Sequence, residues 1–412
     1  MKDIISPAAL NVSYFTPRQD PPAGTALNPQ PDGKPIPKLF QPLKVRGLEL
    51  HNRILISPMS QTSANNGSLT AWHTALLGGA LIYGPGIAFL EDTAVLPEGR
   101  LRPNDTGLWD DAHIPPLRAL VEFAHSQNQK IGIQLGHAGR KGSVVPIWLG
   151  MHVATEAAGG WPDELVAPSA IPYSDAPDWP VPRELDVAGI AHAVKGFADA
   201  AARAVKAGVD TIQIHGGHGF LPHQFLSPIT NKRTDRYGGS FENRMRFTLE
   251  VVDAVRAVIP EEMPLFFRLS ATDWLEEAFP DEPSWRLEDA VDLAKLLAEH
   301  GVDFIDVTSG GLHLAQKIGV NITKPAYQAD LAVAVKKAVG DKVLVGTIGT
   351  ISTGHVAQHV LDDLNLDAVF VARQFLKDHQ TVWTFAEQLG VEIQLPVQFN
   401  WVFKGRPGTQ KK

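Results

Sequence analysis

Short apolar runs alternate along the chain with longer segments in which apolar residues recur every three to four positions. The short runs are typical of buried strands, and the longer segments have the period of amphipathic helices. The runs predict strands at 54–57, 86–90, 131–135, 211–215, 265–270, 304–308, 343–347 and 368–371. The longer segments predict helices at 72–83, 113–125, 187–205, 243–258, 287–298, 328–339, 355–364 and 382–389.

Eight strand–helix units in succession indicate an α/β protein built as a (β/α)8 TIM barrel. An open doubly wound sheet usually has fewer repeats and a Gly-x-Gly-x-x-Gly turn after its first strand, a motif that is missing there. We expect an extended Pro- and Gly-rich N-terminal arm at 1–38, the barrel at 39–395 and a C-terminal tail at 396–412. The long insertion after the third strand, at 142–182, has the length of a lid or binding loop.

Composition narrows the class of protein. Lys and Arg number 37 against 45 Asp and Glu, for a net charge of −8, and no basic block is present, which argues against nucleic-acid binding. The 412 residues include no cysteine, so disulfides, thiolate nucleophiles and iron–sulfur clusters are excluded. No apolar run approaches the roughly 18 residues of a membrane span, and the N-terminus does not read as a secretory signal. We therefore expect a cytoplasmic protein that binds no membrane.

The candidate functional residues are those at the carboxyl ends of the strands, because active sites of these barrels lie there. The loops after the seventh and eighth strands commonly form a phosphate pocket there. Gly346, Ala372 and Arg373, with Gly310 close by, match that pattern. The other strand ends supply Ser57, Pro58, Met59, Ser60, Glu91, Asp92, Gln134, His215, His218 and Arg268. This set favours an anionic, planar, hydrogen-bonding ligand over a hard divalent cation.

The stretch HGGHGFLPHQFLSP, at 215–228, places two histidines three apart where a strand should end. They could hold zinc together with a carboxylate, but the first strand offers none of the His, Lys or Asp residues that barrel hydrolases use beside them. They could instead cap loop amides, or donate hydrogen bonds to a ligand. We predict no metal, and a metal-dependent barrel hydrolase is retained as an alternative function.

Several longer motifs carry a family resemblance in a fixed order. They are LHNRILISPMS, FLEDTAVLPEGR, GLWDDAHI, KIGIQLGHAGRK, APSAIP, IHGGHGFLPHQFLSPITNKRTDRYGGSFENRMRF and LFFRLSATDW. With them the chain resembles the old yellow enzyme family of flavin-dependent ene-reductases, and within it the thermophilic-like class III branch. The resemblance implies a barrel that binds FMN without a covalent bond. It also implies hydride from NADPH or NADH, an activated carbon–carbon double bond as substrate, and a homodimer or larger homo-oligomer.

The resemblance also implies roles for the candidate residues. Ser57, Pro58, Met59, Ser60 and Asp92 are expected to form a wall beside the flavin. Gln134 is expected at the pyrimidine edge of the flavin and Arg268 near its N1 and O2 atoms. Phosphate contacts are implied for Gly310, Gly346, Ala372 and Arg373. His215 and His218 are expected to donate two hydrogen bonds to the carbonyl or nitro oxygen of the substrate.

Five positions depart from the family's usual residues. Phe220 stands where a tyrosine usually delivers a proton to the substrate, yet we still expect it in the catalytic and substrate-contacting set. Ser60 replaces a cysteine, and Thr62 replaces a tyrosine that touches the substrate. Trp401 stands at or near the position where family members have an arginine that enters the partner's site. Asp92 replaces a residue that is usually small, and the sequence suggests no reason for this change.

The expected function is reduction of α,β-unsaturated carbonyl compounds by an FMN-dependent oxidoreductase. The missing tyrosine leaves two interpretations open for position 220. Either solvent protonates the intermediate and Phe220 only packs, or the outcome changes to isomerisation or desaturation on the same flavin barrel. A barrel that has lost catalysis and only binds a small-molecule ligand is a further alternative.

Overall fold

A computed structural model of the chain describes residues 5–405. Its strands are β1 (Leu43–Val45), β2 (Leu48–Leu50), β3 (Ile54–Ile56), β4 (Ile87–Ala94), β5 (Ile131–Gly136), β6 (Val166–Ala167), β7 (Arg183–Glu184), β8 (Thr211–Gly216), β9 (Leu265–Ser270), β10 (Phe304–Thr308), β11 (Leu344–Thr347) and β12 (Ala368–Val371). Its α-helices are α1 (Ala71–Leu81), α2 (Ile114–Ser126), α3 (Val187–Ala207), α4 (Leu221–Leu226), α5 (Phe241–Arg256), α6 (Leu287–Glu299), α7 (Ala329–Val339), α8 (Gly354–Asp362), α9 (Arg373–Lys377), α10 (Thr381–Leu389) and α11 (Val397–Lys404).

Eight parallel strands close into the barrel that the sequence predicts. Their order around the barrel is β3-β4-β5-β8-β9-β10-β11-β12, and β12 pairs with β3 to complete the circle. Every predicted strand overlaps one of these eight, and every predicted helix overlaps one of the helices. The (β/α)8 prediction is therefore confirmed.

Strand β4 is the one that differs most from its prediction, because it continues four residues beyond Leu90. A β-bulge between Leu90 and Asp92 lets the strand keep pairing with β5 past its charged residues. The bulge brings Asp92 opposite Gln134 in the register of the two strands. A carboxylate that the sequence placed just beyond a strand end thus lies inside the sheet.

Local sequence signals set the ends of the longer helices. The side chain of Asp186 accepts a hydrogen bond from the Gly189 amide and begins α3, and Gly208, with φ of 96°, ends it in the left-handed conformation. Ser240 and Thr353 accept amide hydrogen bonds in the same way at the starts of α5 and α8. These caps satisfy backbone groups that a helix end would leave unpaired.

A plug of four phenylalanines fills the amino-terminal half of the barrel. The rings of Phe266 and Phe304 stack with centroids 4.7 Å apart, and Phe89 and Phe370 complete a cycle of contacts at 5.3–5.8 Å. The β1–β2 hairpin covers this end with buried leucine and valine side chains. The plug leaves the carboxyl ends of the strands as the place where a ligand can enter.

The N-terminal arm packs against the C-terminal segment of its own chain. Ala26 forms a β-bridge with Ile393, and the Gln30 side chain bonds the backbone of Glu392. The Gln19 amide reaches Gln398 at 2.8 Å.

Within residues 5–405, no helix has the length and apolar character that crossing a membrane requires.

Replacing Phe304 by alanine should lower the free energy of unfolding by about 3–5 kcal/mol, because it opens a cavity in a fully buried ring cluster. Denaturant unfolding followed by circular dichroism measures the change. Phe15→Ala is the control, since that ring is 67% exposed and its loss should change stability by less than about 0.5 kcal/mol. Equal effects of the two substitutions would contradict the role of the plug.

Candidate active site

A cavity of about 520 Å³ opens at the carboxyl ends of the barrel strands. Its volume lies within the range of roughly 300–1,000 Å³ that is usual for small-molecule sites. The cavity runs from the imidazole of His218 over the ring of Phe370 to the loops that follow β11 and β12. Thr308, Tyr327, Ala372 and Arg373 also line it.

The far end of the cavity is cationic. Arg373 follows β12 and lines the cavity with an exposed side chain, and no carboxylate within residues 5–405 forms an ion pair with it. The loop after β11 faces it through Gly349, whose φ is 122°. A Cβ atom there would lie 2.8 Å from the ring of Tyr327, so only glycine fits this close approach. A guanidinium beside a glycine loop is suited to an anionic group such as a phosphate.

Two of the glycines that the sequence assigned to this end do not line the cavity. Gly346 lies within β11, where a Cβ atom would meet the ring of Phe304 at 2.9 Å, so its small size makes room for the plug. Gly310 approaches the side chain of Gln316, and its carbonyl oxygen accepts a hydrogen bond from Ser270. The loop glycine is Gly349, three residues after Gly346, and the strand end at Thr347 is the signal that separates the two.

A buried polar network forms the floor of the site between β3, β5, β8, β9 and β10. Arg268 donates to Ser57 Oγ at 2.9 Å and to Asp306 Oδ2 at 2.6 Å. Gln134 donates to Gln213 at 2.7 Å, and Gln213 donates to the same carboxylate at 3.1 Å. Burial raises the pKa of Asp306, and Arg268 opposes that rise. The network fixes a guanidinium and an amide side by side.

Sequence reasoning missed Gln213 and Asp306, although both carry a readable signal. Each is a polar residue in the middle of a buried apolar run, TIQIH and FIDVT. A fully buried polar side chain in a strand requires partners, and here they are each other and Arg268. The two residues hold the predicted site residues Gln134 and Arg268 in place.

The segment after β3, which the sequence analysis expects to form a wall beside the flavin, also contacts buried carboxylates. Ser57 and Met59 line a narrow crevice beside Glu91, with room for about one water molecule. Ser60 is half-buried. Thr62 has a φ of 50°, and its hydroxyl donates to Asp105 at 3.3 Å. Thr62 is thus held by a carboxylate at a position where the sequence analysis expects contact with the substrate.

The side chains of the two histidines converge. His215 Nε2 and His218 Nδ1 lie 3.3 Å apart, and the rings are nearly perpendicular. His218 Nε2 lies 2.8 Å from the hydroxyl of Thr308. Burial, with Arg268 and Lys141 nearby, holds the pKa of His215 well below its usual value, and burial and His215 do the same for His218. Both imidazoles are therefore neutral at physiological pH.

The loops after β8 and β10 are clamped together at His218. That residue has a φ of 52°, and a Cβ atom on Gly311 would lie 2.6 Å from its Cα atom. The ammonium group of Lys141 donates to the carbonyl oxygens of His218 at 2.7 Å and Gly311 at 3.0 Å. Burial lowers the pKa of Lys141 to about 7, and the two carbonyls give its protons partners. Lys141 therefore positions His218 through the backbone.

Asp92 contacts the other side of His215. Its Oδ1 atom lies 3.1 Å from His215 Nδ1, and both side chains are buried. Burial raises the pKa of Asp92 to about 8, against the opposing effect of Arg268, Arg102 and Lys141. A Cβ atom at Gly136 would lie 2.0 Å from Asp92 Oδ1, so this carboxyl occupies the space of a side chain at position 136.

Phe220 covers the imidazole of His215. The two rings stack with centroids 4.0 Å apart at an angle of 25°. Phe220 belongs to a buried apolar group that includes Tyr173 and Trp179 of the insertion. Trp161 anchors the insertion through its indole N–H to the Glu98 carbonyl, whereas Trp148 is exposed. The insertion therefore roofs the His215 side of the site.

The family of the protein is shown by its similarity to known proteins. A sequence model described as "NADH:flavin oxidoreductase / NADH oxidase family" matches residues 38–392. The chain belongs to this family, the old yellow enzymes. It is an NAD(P)H:flavin oxidoreductase, as the family match and the relatives below show.

The relatives include fungal and bacterial enzymes. The chain is 49% identical over 404 residues to "NADH:flavin oxidoreductase FG08077" of Gibberella zeae, with 97% of this chain and 96% of that protein covered. It is 40% identical to a "NADPH dehydrogenase" of Geobacillus thermodenitrificans, covering 89% and 99% of the two chains. Among solved structures, "Morphinone reductase" superposes with a TM-score of 0.70 at 29% identity, covering 87% of this chain and 91% of that one.

The residues at the site fit the flavin that this family implies. The cavity offers Arg373 and a glycine loop at one end for a phosphate group. Beneath it, the buried network at the barrel axis holds a hydrogen-bonding amide and a guanidinium, from Gln134 and Arg268, that suit a polar ring edge. Among the described residues, no group of three or more His, Asp or Glu side chains could hold a metal ion.

Gly136→Ala should destabilise this old yellow enzyme by about 1–3 kcal/mol, because the new Cβ atom meets Asp92. The same substitution made in an Asp92→Ala background should cost much less, since the opposing carboxyl is gone. Free energies of unfolding of the four proteins measure this coupling. The pairing of Gly136 with Asp92 is wrong if Gly136→Ala costs the same in both backgrounds.

Asp92→Asn should stabilise the protein more at pH 8 than at pH 5. In the unfolded chain the Asp92 carboxyl has its ordinary pKa of 3.8, whereas in the folded protein its pKa is about 8, so wild-type stability falls as pH rises through this window. Asparagine does not titrate and escapes that loss. The difference in melting temperature between variant and wild type, measured at both pH values, tests this. Asp178→Asn, at an exposed carboxyl, is the control and should show no such trend.

Proposed function

We propose that the protein binds FMN without a covalent bond and reduces the activated carbon–carbon double bond of α,β-unsaturated carbonyl compounds, with hydride from NADPH or NADH. The observation that carries the proposal is the convergence of His215 Nε2 and His218 Nδ1, 3.3 Å apart, beside a cavity that His218 lines at one end and Arg373 at the other. Two imidazoles that meet at one point are suited to a single ligand oxygen.

The cofactor would be held by residues from across the barrel. Arg373, Ala372 and the loop after β11 would hold its phosphate, and Gln134 and Arg268 would bond the polar edge of its ring system. The residues from Ser57 to Ser60 would form the wall beside it. A bound flavin supplies the transfer of hydride from the nicotinamide to the substrate. A fixed guanidinium such as Arg268 favours negative charge on a neighbouring ring.

The histidines would bind the substrate oxygen as negative charge develops on it. His215 can donate from Nε2 and His218 from Nδ1, once the Thr308 hydroxyl turns to donate to His218 Nε2, 2.8 Å away. Removing one donor from such an oxyanion site typically costs about 2.7–4 kcal/mol of transition-state stabilisation. Neither imidazole needs a charge for this role.

The branch and the hydride donor are supported by the relatives. Bacterial proteins named "NADPH dehydrogenase" are 37–40% identical to this chain, which favours the thermophilic-like class III branch and NADPH as donor. The printed name of the fungal relative refers to NADH. We also propose a cytoplasmic, homodimeric or larger assembly acting on a small molecule, by analogy with this branch.

A second candidate function follows from Phe220. Its ring stacks on His215 and carries no acidic hydrogen, so the usual proton to the α-carbon has no source at this position. Without that proton the hydride could return to the cofactor, and the enzyme would then isomerise its substrate with no net redox change. Run in reverse on a saturated substrate, with an external oxidant to take the electrons, the same reaction would be a desaturation.

Absorbance spectra of the purified protein distinguish the two candidates. Reduction predicts flavin absorbance that bleaches anaerobically on addition of NADPH and returns on addition of 2-cyclohexenone, with consumption of the enone. Bleaching without consumption of enones would favour the isomerase. A colourless protein that binds zinc would support a hydrolase instead.

Arg373→Met should weaken binding of FMN about 10-fold or more, because a hydrogen bond to a charged group contributes roughly 1.5–3 kcal/mol. Fluorescence titration of flavin-free protein measures the dissociation constants. Riboflavin, which lacks the phosphate, is the matched ligand and should bind wild type and variant alike. A parallel loss of affinity for riboflavin would place Arg373 outside the phosphate site.

A further inference from the structure

Asp92 stands at one end of a buried chain of hydrogen-bonding groups. The chain passes from Asp92 Oδ1 through both nitrogens of His215 and both nitrogens of His218 to the hydroxyl of Thr308, with contacts of 3.1, 3.3 and 2.8 Å. From Thr308 it continues to Gln328 Oε1 at 3.2 Å. The proton positions along such a chain depend on one another, because each neutral imidazole carries a single N–H.

Gln328, at the far end of this series of hydrogen-bonding groups, fixes which atom of each pair donates. Gln328 donates from Nε2 to the carbonyl of Ile348 at 2.9 Å, so its Oε1 atom faces Thr308 and can only accept. Thr308 then donates to Gln328 and accepts from His218 Nε2. In this arrangement His218 Nδ1 carries no proton and accepts from His215 Nε2, and it gains a proton only when the Thr308 hydroxyl turns to donate to His218 Nε2.

The protonation of Asp92 follows from that of His215. His215 Nδ1 carries no proton if Nε2–H donates, so Nδ1 must accept its contact from Asp92. A carboxylate cannot donate, and Asp92 is therefore the carboxylic acid that completes the chain. The direction of its pKa shift agrees, since burial favours the neutral form.

We propose that Asp92 and His215 together supply, at the oxygen of the substrate, the proton that position 220 cannot supply. This inference rests on the proposed reduction of an activated double bond. Asp92 would not contact the substrate itself. It acts through His215, by positioning the imidazole and by holding a proton next to it.

The step balances in atoms and electrons. Hydride, from the reduced nicotinamide by way of the flavin, forms a bond to the β-carbon, and the electrons of the double bond move through the carbonyl to its oxygen. The His215 Nε2–H bond breaks as the O–H bond of an enol forms. The Asp92 Oδ1–H bond breaks as His215 Nδ1–H forms. His215 ends neutral in its other tautomer, Asp92 ends as a carboxylate, and solvent later returns one proton to the pair.

Charges around Asp92 suit both of its states. Burial favours the acid before transfer, and three cations favour the carboxylate after it. The charged and titratable groups that act on Asp92, or on which it acts, are Arg268, Arg102, Lys141, Glu91, Asp105 and His215. The released enol becomes the saturated ketone in solution, where neither face of its α-carbon is shielded by the protein.

Anaerobic single-turnover reactions of reduced enzyme with 2-methylcyclohexenone test the proposal between pH 6 and 10. For wild type we expect both configurations at the α-carbon and a rate that falls about tenfold per pH unit above roughly pH 8. Asp92→Asn should be slower by about 100-fold or more at pH 7 and should lose the alkaline fall. Asparagine can still donate to His215 Nδ1, so it keeps the orientation of the imidazole and removes only the proton.

Phe220→Tyr provides the rescue. A tyrosine there should restore a direct donor, give one predominant configuration at the α-carbon, and recover most of the rate that Asp92→Asn loses. Asp105→Asn is the matched control, because it removes another buried carboxyl with a raised pKa, one that bonds Thr62 and the Arg102 amide, and it should keep the alkaline fall. A wild-type rate and pH profile in Asp92→Asn, or a defect that Phe220→Tyr does not relieve, would overturn the proposal.

Proton positions can be measured without turnover. Long-range ¹H–¹⁵N spectra of protein labelled at histidine should show His215 protonated at Nε2 at pH 7, with a titration near pH 8 that Asp92→Asn abolishes. His215 protonated at Nδ1 at pH 7 would overturn the proposal on its own. Wild-type enzyme that bleaches with NADPH but never reduces an enone would contradict the proposed function instead, and the spectra would still decide the state of Asp92.

Discussion

Four phenylalanine rings inside the amino-terminal half of the barrel constrain where polar chemistry can lie. Phe89, Phe266, Phe304 and Phe370 form a closed cycle of ring contacts that fills this end of the barrel interior with apolar side chains. Polar side chains on the same strands can therefore meet only above the plug. The plug also explains Gly346, whose missing side chain leaves space for Phe304. The floor of the site is built directly on this apolar layer, and Arg268 lies over the ring of Phe370 at 5.7 Å.

The layer above the plug is a set of polar groups that stabilise one another because they are withdrawn from water. Asp306 is the shared acceptor, bonded by Arg268 and Gln213, and these two orient Ser57 and Gln134. Removing one partner from such a network leaves a buried charge uncompensated, which costs more than the bond itself. Gln213 and Asp306 bond each other and hold the two residues expected to face the cofactor, Gln134 and Arg268, so these side chains are positioned by the protein itself.

The sequence predicted the barrel, and the strand ends at which candidate residues lie, because both depend on local pattern. Strand ends are visible in apolar periodicity, and residues at the carboxyl ends of parallel strands must lie together. The position of Gly349 just after the predicted strand, and of Gly346 within it, could have been read from the strand end at Thr347. Two other features could not be predicted for physical reasons. The bulge in β4 arises from pairing with β5, which no local pattern in FLEDTA records. The contact of Asp92 with His215 joins residues 123 positions apart, and nothing in either segment announces it.

Asp92, Gly136 and Phe220 form one linked set around His215. The carboxyl at position 92 can reach Nδ1 because glycine at 136 leaves the space, and the bulge directs it there. The ring at position 220 covers one face of the same imidazole and excludes water from it. Water beside the pair would solvate the carboxylate and lower its pKa, so the apolar ring helps to keep the proton on Asp92. A tyrosine at 220 would bring a hydroxyl to that group and relieve the need for a protonated carboxyl. In the proposed mechanism, the acid missing at position 220 and the acid held at Asp92 thus both depend on the packing around one histidine.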